Sequence, residues 1–189
     1  FKNIRSNGLK AINLHDGDEL INVNVIKDGQ LMIIGTHNGY ALSFDSDVVR
    51  SMGRSAAGVR GIRLRDEDYV IGAAPLNPDS KVLVISENGF GKQTPAREYP
   101  IKGRGGLGVK TVNVTAKNGP LVGLTTVDGD EDIMLVTDRG VIIRFGIETV
   151  SQTGRSAVGV HLIKIDKGTK VATMAKVEKE SDDDEEGQD

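Results

Sequence analysis

Short apolar runs recur along this chain, each closed by a glycine turn and answered by a second run. Leu31-Met32-Ile33-Ile34 leads through Asn38-Gly39 to Tyr40–Phe44, and Val82-Leu83-Val84-Ile85 leads through Asn88-Gly89 to Phe90–Thr94. A third unit has Ile133-Met134-Leu135-Val136, Arg139-Gly140 and Val141–Phe145. Each reads as a β-hairpin, and the Asn-Gly pairs predict type I′ turns. Behind each hairpin comes an irregular stretch of about ten residues and then a third strand: Val59–Leu64, Val109–Val114 and Val160–Ile165. In these strands Ile62 and Leu64, Val112 and Val114, and Ile163 and Ile165 share one face, with Arg63, Asn113 and Lys164 on the other. A further turn precedes a fourth strand, such as Val70–Ala74 or Leu121–Leu124.

The irregular stretches carry a second periodic marker, a glycine-arginine loop. Its four copies contain Arg5, Arg54, Arg104 and Arg155, separated by 49, 50 and 51 residues, and the turn glycines are 50 and 51 residues apart. Two markers with one period define an array of repeats. Four strands per 50 residues is the size of a propeller blade, so the fold class is all-β, a propeller-like array of antiparallel blades. The expected blades are residues 27–76, 77–127 and 128–176, with 1–26 as the second half of another blade. Together residues 1–177 make one partial disc.

Gly103-Arg104-Gly105-Gly106-Leu107-Gly108 also spells the glycine pattern of dinucleotide-binding folds. That chemistry needs a helix after the loop, whose N-terminus holds the pyrophosphate. Val109-Lys110-Thr111-Val112-Asn113-Val114 follows instead, alternating and β-branched, and predicts a strand.

Composition refines the picture at three points. The 24 glycines in 189 residues favour tight turns over long helices, and with four Phe, three Tyr and no Trp the core is aliphatic. The lack of cysteine rules out disulfides and thiolate metal sites and fits a reducing, cytoplasmic setting; no apolar run is long enough to cross a membrane as a helix. The net charge of −3 hides an asymmetry: residues 178–189 carry −7, leaving +4 on residues 1–177. The acidic end has too little apolar surface to fold and is expected to be a disordered tail, which either competes with an anionic partner for the basic body or serves solubility by keeping net charge away from zero.

The hairpins, together with Val49-Arg50-Ser51-Met52-Gly53-Arg54, Gly58-Val59-Arg60-Gly61-Ile62-Arg63-Leu64, Gly89-Phe90-Gly91-Lys92 and Glu98-Tyr99-Pro100, carry a family resemblance. In order and register these motifs resemble the C-terminal DNA-wrapping domain of the A subunit of bacterial DNA gyrase, over residues 1 to about 175. The resemblance implies a six-bladed β-pinwheel in which blades exchange strands and DNA bends around a basic rim. It implies that this chain is the C-terminal half of such a disc, working with the rest of the gyrase A subunit, and with the gyrase B subunit. The family's Gln-Arg-Arg-Gly-Gly-Lys-Gly box belongs to the first blade. Lys102–Gly108 occupies the equivalent loop of a later blade and has Leu107 in place of the box lysine. The related domain in the A subunit of topoisomerase IV is the nearest alternative.

Such loops suit phosphate chemistry. Arginine presents planar donors, and flanking glycines let backbone amides approach the same phosphate. The candidate DNA-binding residues are Arg5, Arg54, Arg104 and Arg155 in the loops, Lys102 beside Arg104, and Lys10, Arg60 and Lys110 opening the third strands. Lys92 and Arg144, following the hairpin turns, complete the set. Contacts of this kind read the backbone, so duplex DNA would be bound largely without sequence preference.

Catalytic chemistry has no comparable signal. His15, His37 and His161 follow no ligand spacing, and His161 occupies the slot of Arg60 and Lys110. Asp128–Asp132 starts like a calcium loop but has Arg139 at the position of the bidentate glutamate. No metal or cofactor is expected, and the resemblance puts the cleavage tyrosine and the ATP site elsewhere in the topoisomerase. A propeller-type protein-interaction scaffold is the competing function. An open arc of blades, with its unpaired strand edges, is also expected to self-associate.

Overall fold

The computed structural model describes residues 6–179. Arg5 and the acidic stretch from residue 180 onward lie outside the described residues. The strands are β1 (Leu31–Thr36), β2 (Tyr40–Asp45), β3 (Val70–Leu76), β4 (Lys81–Ser86), β5 (Phe90–Pro95) and β6 (Val109–Lys110), followed by β7 (Leu121–Val127), β8 (Glu131–Thr137), β9 (Ile142–Gly146), β10 (Val160–His161) and β11 (Val171–Glu178).

The three hairpins β1–β2, β4–β5 and β8–β9 form as the apolar runs predict, but their turns differ from expectation. Thr36 and Tyr40 flank a three-residue loop in which the Gly39 N–H donates to Thr36 O, and Gly89 and Gly140 bond back to Ser86 and Thr137 in the same way. Gly39 has φ +84°, whereas Asn38 is not left-handed. A type I′ turn needs two left-handed residues. These are three-residue loops with one left-handed glycine, so the Asn-Gly letters found the hairpin and misjudged its turn.

The sheets are not built from contiguous segments. Their strand orders are β3-β1-β2-β6, β10-β5-β4-β7 and β11-β8-β9. The outer strand beside β2 is β6, from the following repeat, with Ala41 opposite Val109; beside β5 it is β10, with Gly91 opposite Val160. The expected third strand therefore leaves its own repeat, pairs with the hairpin of the one before, and shrinks to two residues. Residues 57–64 and the described part of 1–26 contain no strand, and Val23 and Val25 are 79% and 95% exposed.

Handing the strand across requires close approach. Gly108 has φ +72°, and a Cβ there would stand 2.6 Å from Ala41 O; Gly159, φ +90°, would meet Gly91 O at 2.6 Å. Only glycine has both the conformation and the clearance.

The sheets pack face to face. From β4, Val82 and Val84 join Ile33, Ala74 and Leu76 of the first sheet, while Leu83 and Ile85 join Ile133, Leu135 and Val171 of the third. Because β4 is buried on both faces, its sequence is continuously apolar rather than alternating. The other face of the first sheet holds a smaller cluster of Leu42, Phe44 and Ile62. The acidic turn before β8 is self-contained: Glu131 accepts from the Asp128 and Gly129 amides and pairs with Lys176 at 3.4 Å. Although burial opposes ionisation, these contacts hold its carboxyl below the usual range.

Glycine substitutions separate clearance from conformation. Gly140, φ +79°, has open space where a Cβ would stand. Gly140→Ala is expected to cost about 1 kcal/mol, and Gly108→Ala clearly more because it also drives a methyl into Ala41 O. Urea unfolding of the two variants measures the difference; equal losses would show that the close approach carries no energy.

Candidate nucleic-acid interface

The Arg104 and Arg155 loops arch over β2 and β5, the second hairpin strands of the preceding repeats. Ahead of the second fully described loop, that of Arg104, Ile101 forms a parallel bridge to Ser43, and the Lys102 N–H donates to Ser43 O at 2.8 Å. After it, β6 runs antiparallel to the same strand. In the next repeat Gln152 bridges Gln93, the Thr153 N–H donates to Gln93 O at 2.9 Å, and β10 completes the arch. Both arms of a loop thus rest on one neighbouring strand, and the arginine stands between them.

The arginines make a recurring contact across repeats. Arg104 Nη1 donates to Arg60 O at 2.6 Å, and Arg155 Nη1 donates to Lys110 O at 3.0 Å. Arg60 and Lys110 hold equivalent positions, so each loop arginine is set on the backbone of the cation one repeat earlier. The Gly105 and Arg63 amides reinforce the first junction by bonding to Gly61 O and Gly106 O at 2.7 and 2.8 Å. Likewise the Asn13 N–H and side-chain amide reach Ala56 O and Ser55 O of the first described loop. Arg60, Arg104, Lys110 and Arg155 are thereby brought into one series. Each such bond fixes a guanidinium at one nitrogen, and Arg104 Nε is buried with no partner among the described residues.

The remaining candidates divide. Lys10, Arg54, Arg60 and Lys102 are exposed, as is Lys110 at the end of β6, whereas Arg104 and Arg155 are half-buried. Arg144 is committed within its own sheet, with Nε 2.8 Å from Asp132 and Nη2 donating to Glu178 O. Lys92 corrects the sequence reading. Its side chain is 0% exposed, and Nζ donates to both Gly154 O and Arg155 O at 2.5 Å. A fully buried ammonium is not a surface contact; it holds the underside of the loop that carries Arg155.

Burial lowers the Lys92 pKa to about 8, with Glu98 opposing the shift and Arg155 adding to it. Glu98 also accepts the Arg155 N–H at 3.1 Å, so the loop is gripped through donors and acceptors together. Beside it the Tyr99 hydroxyl, 2.5 Å from Thr111 Oγ1, ties together the chain on either side of the Arg104 loop, and burial pushes its pKa up.

Arg65 is a cation that the sequence reading passed over. Its guanidinium lies 3.4 Å from the Tyr40 ring centroid, and Nη1 donates to Leu107 O at 2.8 Å, so it braces the second loop. Nothing in Arg65-Asp66-Glu67-Asp68 marks it off from an acidic turn. His161 sits opposite Phe90 as Lys110 sits opposite Tyr40, which accounts for its place in the cation slot. Its ring centroid lies 3.8 Å from that of Phe90.

The Lys92 shift fixes the sign of a pH dependence. Between pH of about 8 and 10.5 the unfolded chain binds a proton at Lys92 that the folded chain has shed. This residue therefore adds stability as pH rises through that window and opposes folding below it. Lys92→Met should abolish this component. Urea midpoints at pH 7.5 and 9.5 for both proteins check it, and identical pH responses would count against a perturbed lysine.

With this geometry in view, comparisons with known proteins converge. The family model described as DNA gyrase C-terminal domain, beta-propeller, matches residues 1–27, 30–77, 80–128 and 131–178, in step with the repeats. The DNA gyrase A subunit of Staphylococcus epidermidis is 46% identical over 184 residues, covering 96% of this chain and 21% of that protein. The chain thus spans about a fifth of the length of this relative. The solved C-terminal domain of DNA topoisomerase IV superposes with a TM-score of 0.84 at 26% identity, covering 90% of this chain and 54% of that one. For the DNA gyrase A C-terminal domain the TM-score is 0.82 at 26% identity, with 90% and 58% covered.

Proposed function

The chain belongs to the DNA gyrase C-terminal domain family, and from that premise we infer that it is a non-catalytic module that binds duplex DNA and bends it around the rim formed by its glycine-arginine loops. The observation that carries this reading is the repeated seating of Arg104 on Arg60 O and of Arg155 on Lys110 O. Side chains fixed at one nitrogen and spaced one repeat apart suit a regular series of phosphates along a curved backbone. Lys10, Arg54, Arg60, Lys102 and Lys110 are exposed and in this reading extend the same positive track. Binding by such contacts responds to DNA deformability rather than to base identity.

Within the whole topoisomerase, this module delivers a bent duplex segment to the rest of the gyrase A subunit, and to the gyrase B subunit, for ATP-dependent negative supercoiling. Cleavage and ATP hydrolysis belong to those other parts.

Salt titration of binding to unrelated duplexes tests the reading, since each neutralised phosphate adds about 0.9 to the slope of log K against log salt. Arg104→Ala is expected to weaken all duplexes alike and to lower the slope by about one unit. Arg144→Ala should lower it less, because Asp132 already holds that guanidinium. Salt-insensitive binding, or a slope unmoved by Arg104→Ala, would favour a protein-interaction scaffold instead.

A further inference from the structure

Lys92 stands at a position that the other two hairpins fill differently. Counting from the turn glycines, its equivalents are Leu42 and Ile143, both apolar. Leu42 lies beneath the second loop, where a Cβ on Gly106 would meet its side chain at 3.7 Å. Two of three hairpins thus place a hydrocarbon here, whereas β5 places a buried ammonium whose two short hydrogen bonds end on the loop carrying Arg155. Burying a charge is costly when a side chain of similar size without one would pack as well. Glu98 grips the same loop from the amide side, at the Arg155 N–H.

We propose that Lys92 and Glu98 form a clamp that fixes the Gly154–Arg155 backbone and thereby presents the Arg155 guanidinium to a phosphate of bound duplex DNA. Lys92 is then a positioning residue and touches no DNA. The proposal rests on the rim reading given above and adds to it a cause for the posture of one loop. The ammonium donates to two carbonyls: Gly154 O also accepts from the Ala157 N–H, whereas Arg155 O has no other donor among the described residues and would lose its partner to an apolar side chain. Charge assistance makes these bonds roughly twice as strong as those of a neutral donor. With Glu98 and Arg155 the charged groups that act on Lys92, and its pKa near 8, the clamp loosens as pH rises toward 9.

The test is a double-mutant cycle on the intact 189-residue chain, using Lys92→Met, Arg155→Ala and the pair. A short duplex of arbitrary sequence serves as the probe, at 50 and 200 mM salt. Circular dichroism confirms folding, which the apolar equivalents at positions 42 and 143 lead one to expect. If the clamp exists, either single variant loses about one unit of salt slope. It then forfeits about threefold to fourfold less affinity than the parent between the two salt concentrations. The pair loses no more than Arg155→Ala alone.

Raising the pH from 7.5 to 9 should weaken binding by the parent and leave Lys92→Met unchanged. Hydrogen exchange without DNA should show a faster Arg155 amide in Lys92→Met and in Glu98→Gln.

Additive losses would overturn the proposal, since Lys92 would then act through its own charge. A parental slope in Lys92→Met beside a reduced slope in Arg155→Ala would overturn it as well. An unmoved slope in Arg155→Ala would refute the rim reading at that residue and the DNA half of the clamp with it. Amide exchange would still decide whether Lys92 holds the loop.

Discussion

Where Gly108 passes Ala41 O and Gly159 passes Gly91 O, the main chains of two repeats come closer than any side chain would allow. This approach lets a strand leave its own repeat and finish the sheet of the previous one. The rest of the arrangement follows. A loop whose far arm is pinned beside β2 or β5 must arch over that strand. Its arginine then lies within reach of the carbonyl of the cation one repeat earlier, as at Arg60 and Lys110. The periodic glycines and the periodic arginines are thus two aspects of one junction, which is why they share a spacing.

Packing and pairing reinforce each other across that junction. The middle sheet is apolar on both faces of β4, so it cannot be wetted on either side without large loss. Strand exchange locks the same neighbours edgewise through main-chain bonds. The two bonds from the Gln93 amide to Ile147 O and Val150 O stitch adjoining repeats at buried points. Buried Lys92 Nζ and Gln93 Nε2 both donate to backbone carbonyls of the adjoining repeat, so neither of these two repeats is complete alone.

Much of this was legible in the letters. Hairpin positions, the repeat length, the all-β class and the run of cations after each loop all come from local pattern, because apolar runs and turn glycines act over a few residues. What the letters conceal is nonlocal. Val109 reads as an ordinary third strand, and nothing near it announces a partner 68 residues earlier at Ala41. Lys92 follows a turn as a surface lysine would, and only the arrival of the loop at Gly154 buries it. Arg65 looks like part of an acidic turn until Tyr40 and Leu107 converge on it. The Asn-Gly pair signals a reversal correctly, but the bond from Gly39 back to Thr36 decides its geometry.

The two arms of each arch have a mechanical consequence. Ile101 and Gln152 lie parallel to β2 and β5 respectively, while β6 and β10 lie antiparallel to the same two strands, so both ends of a loop are fastened to the same piece of backbone. Tension applied at the arginine divides between two attachments that must slide together, and shear of this kind resists far better than peeling at one end. The pull passes through β2 or β5 into the core of the previous sheet. A force on one loop is therefore borne by two repeats, and the array behaves under strain as a belt of overlapping plates rather than as beads on a string.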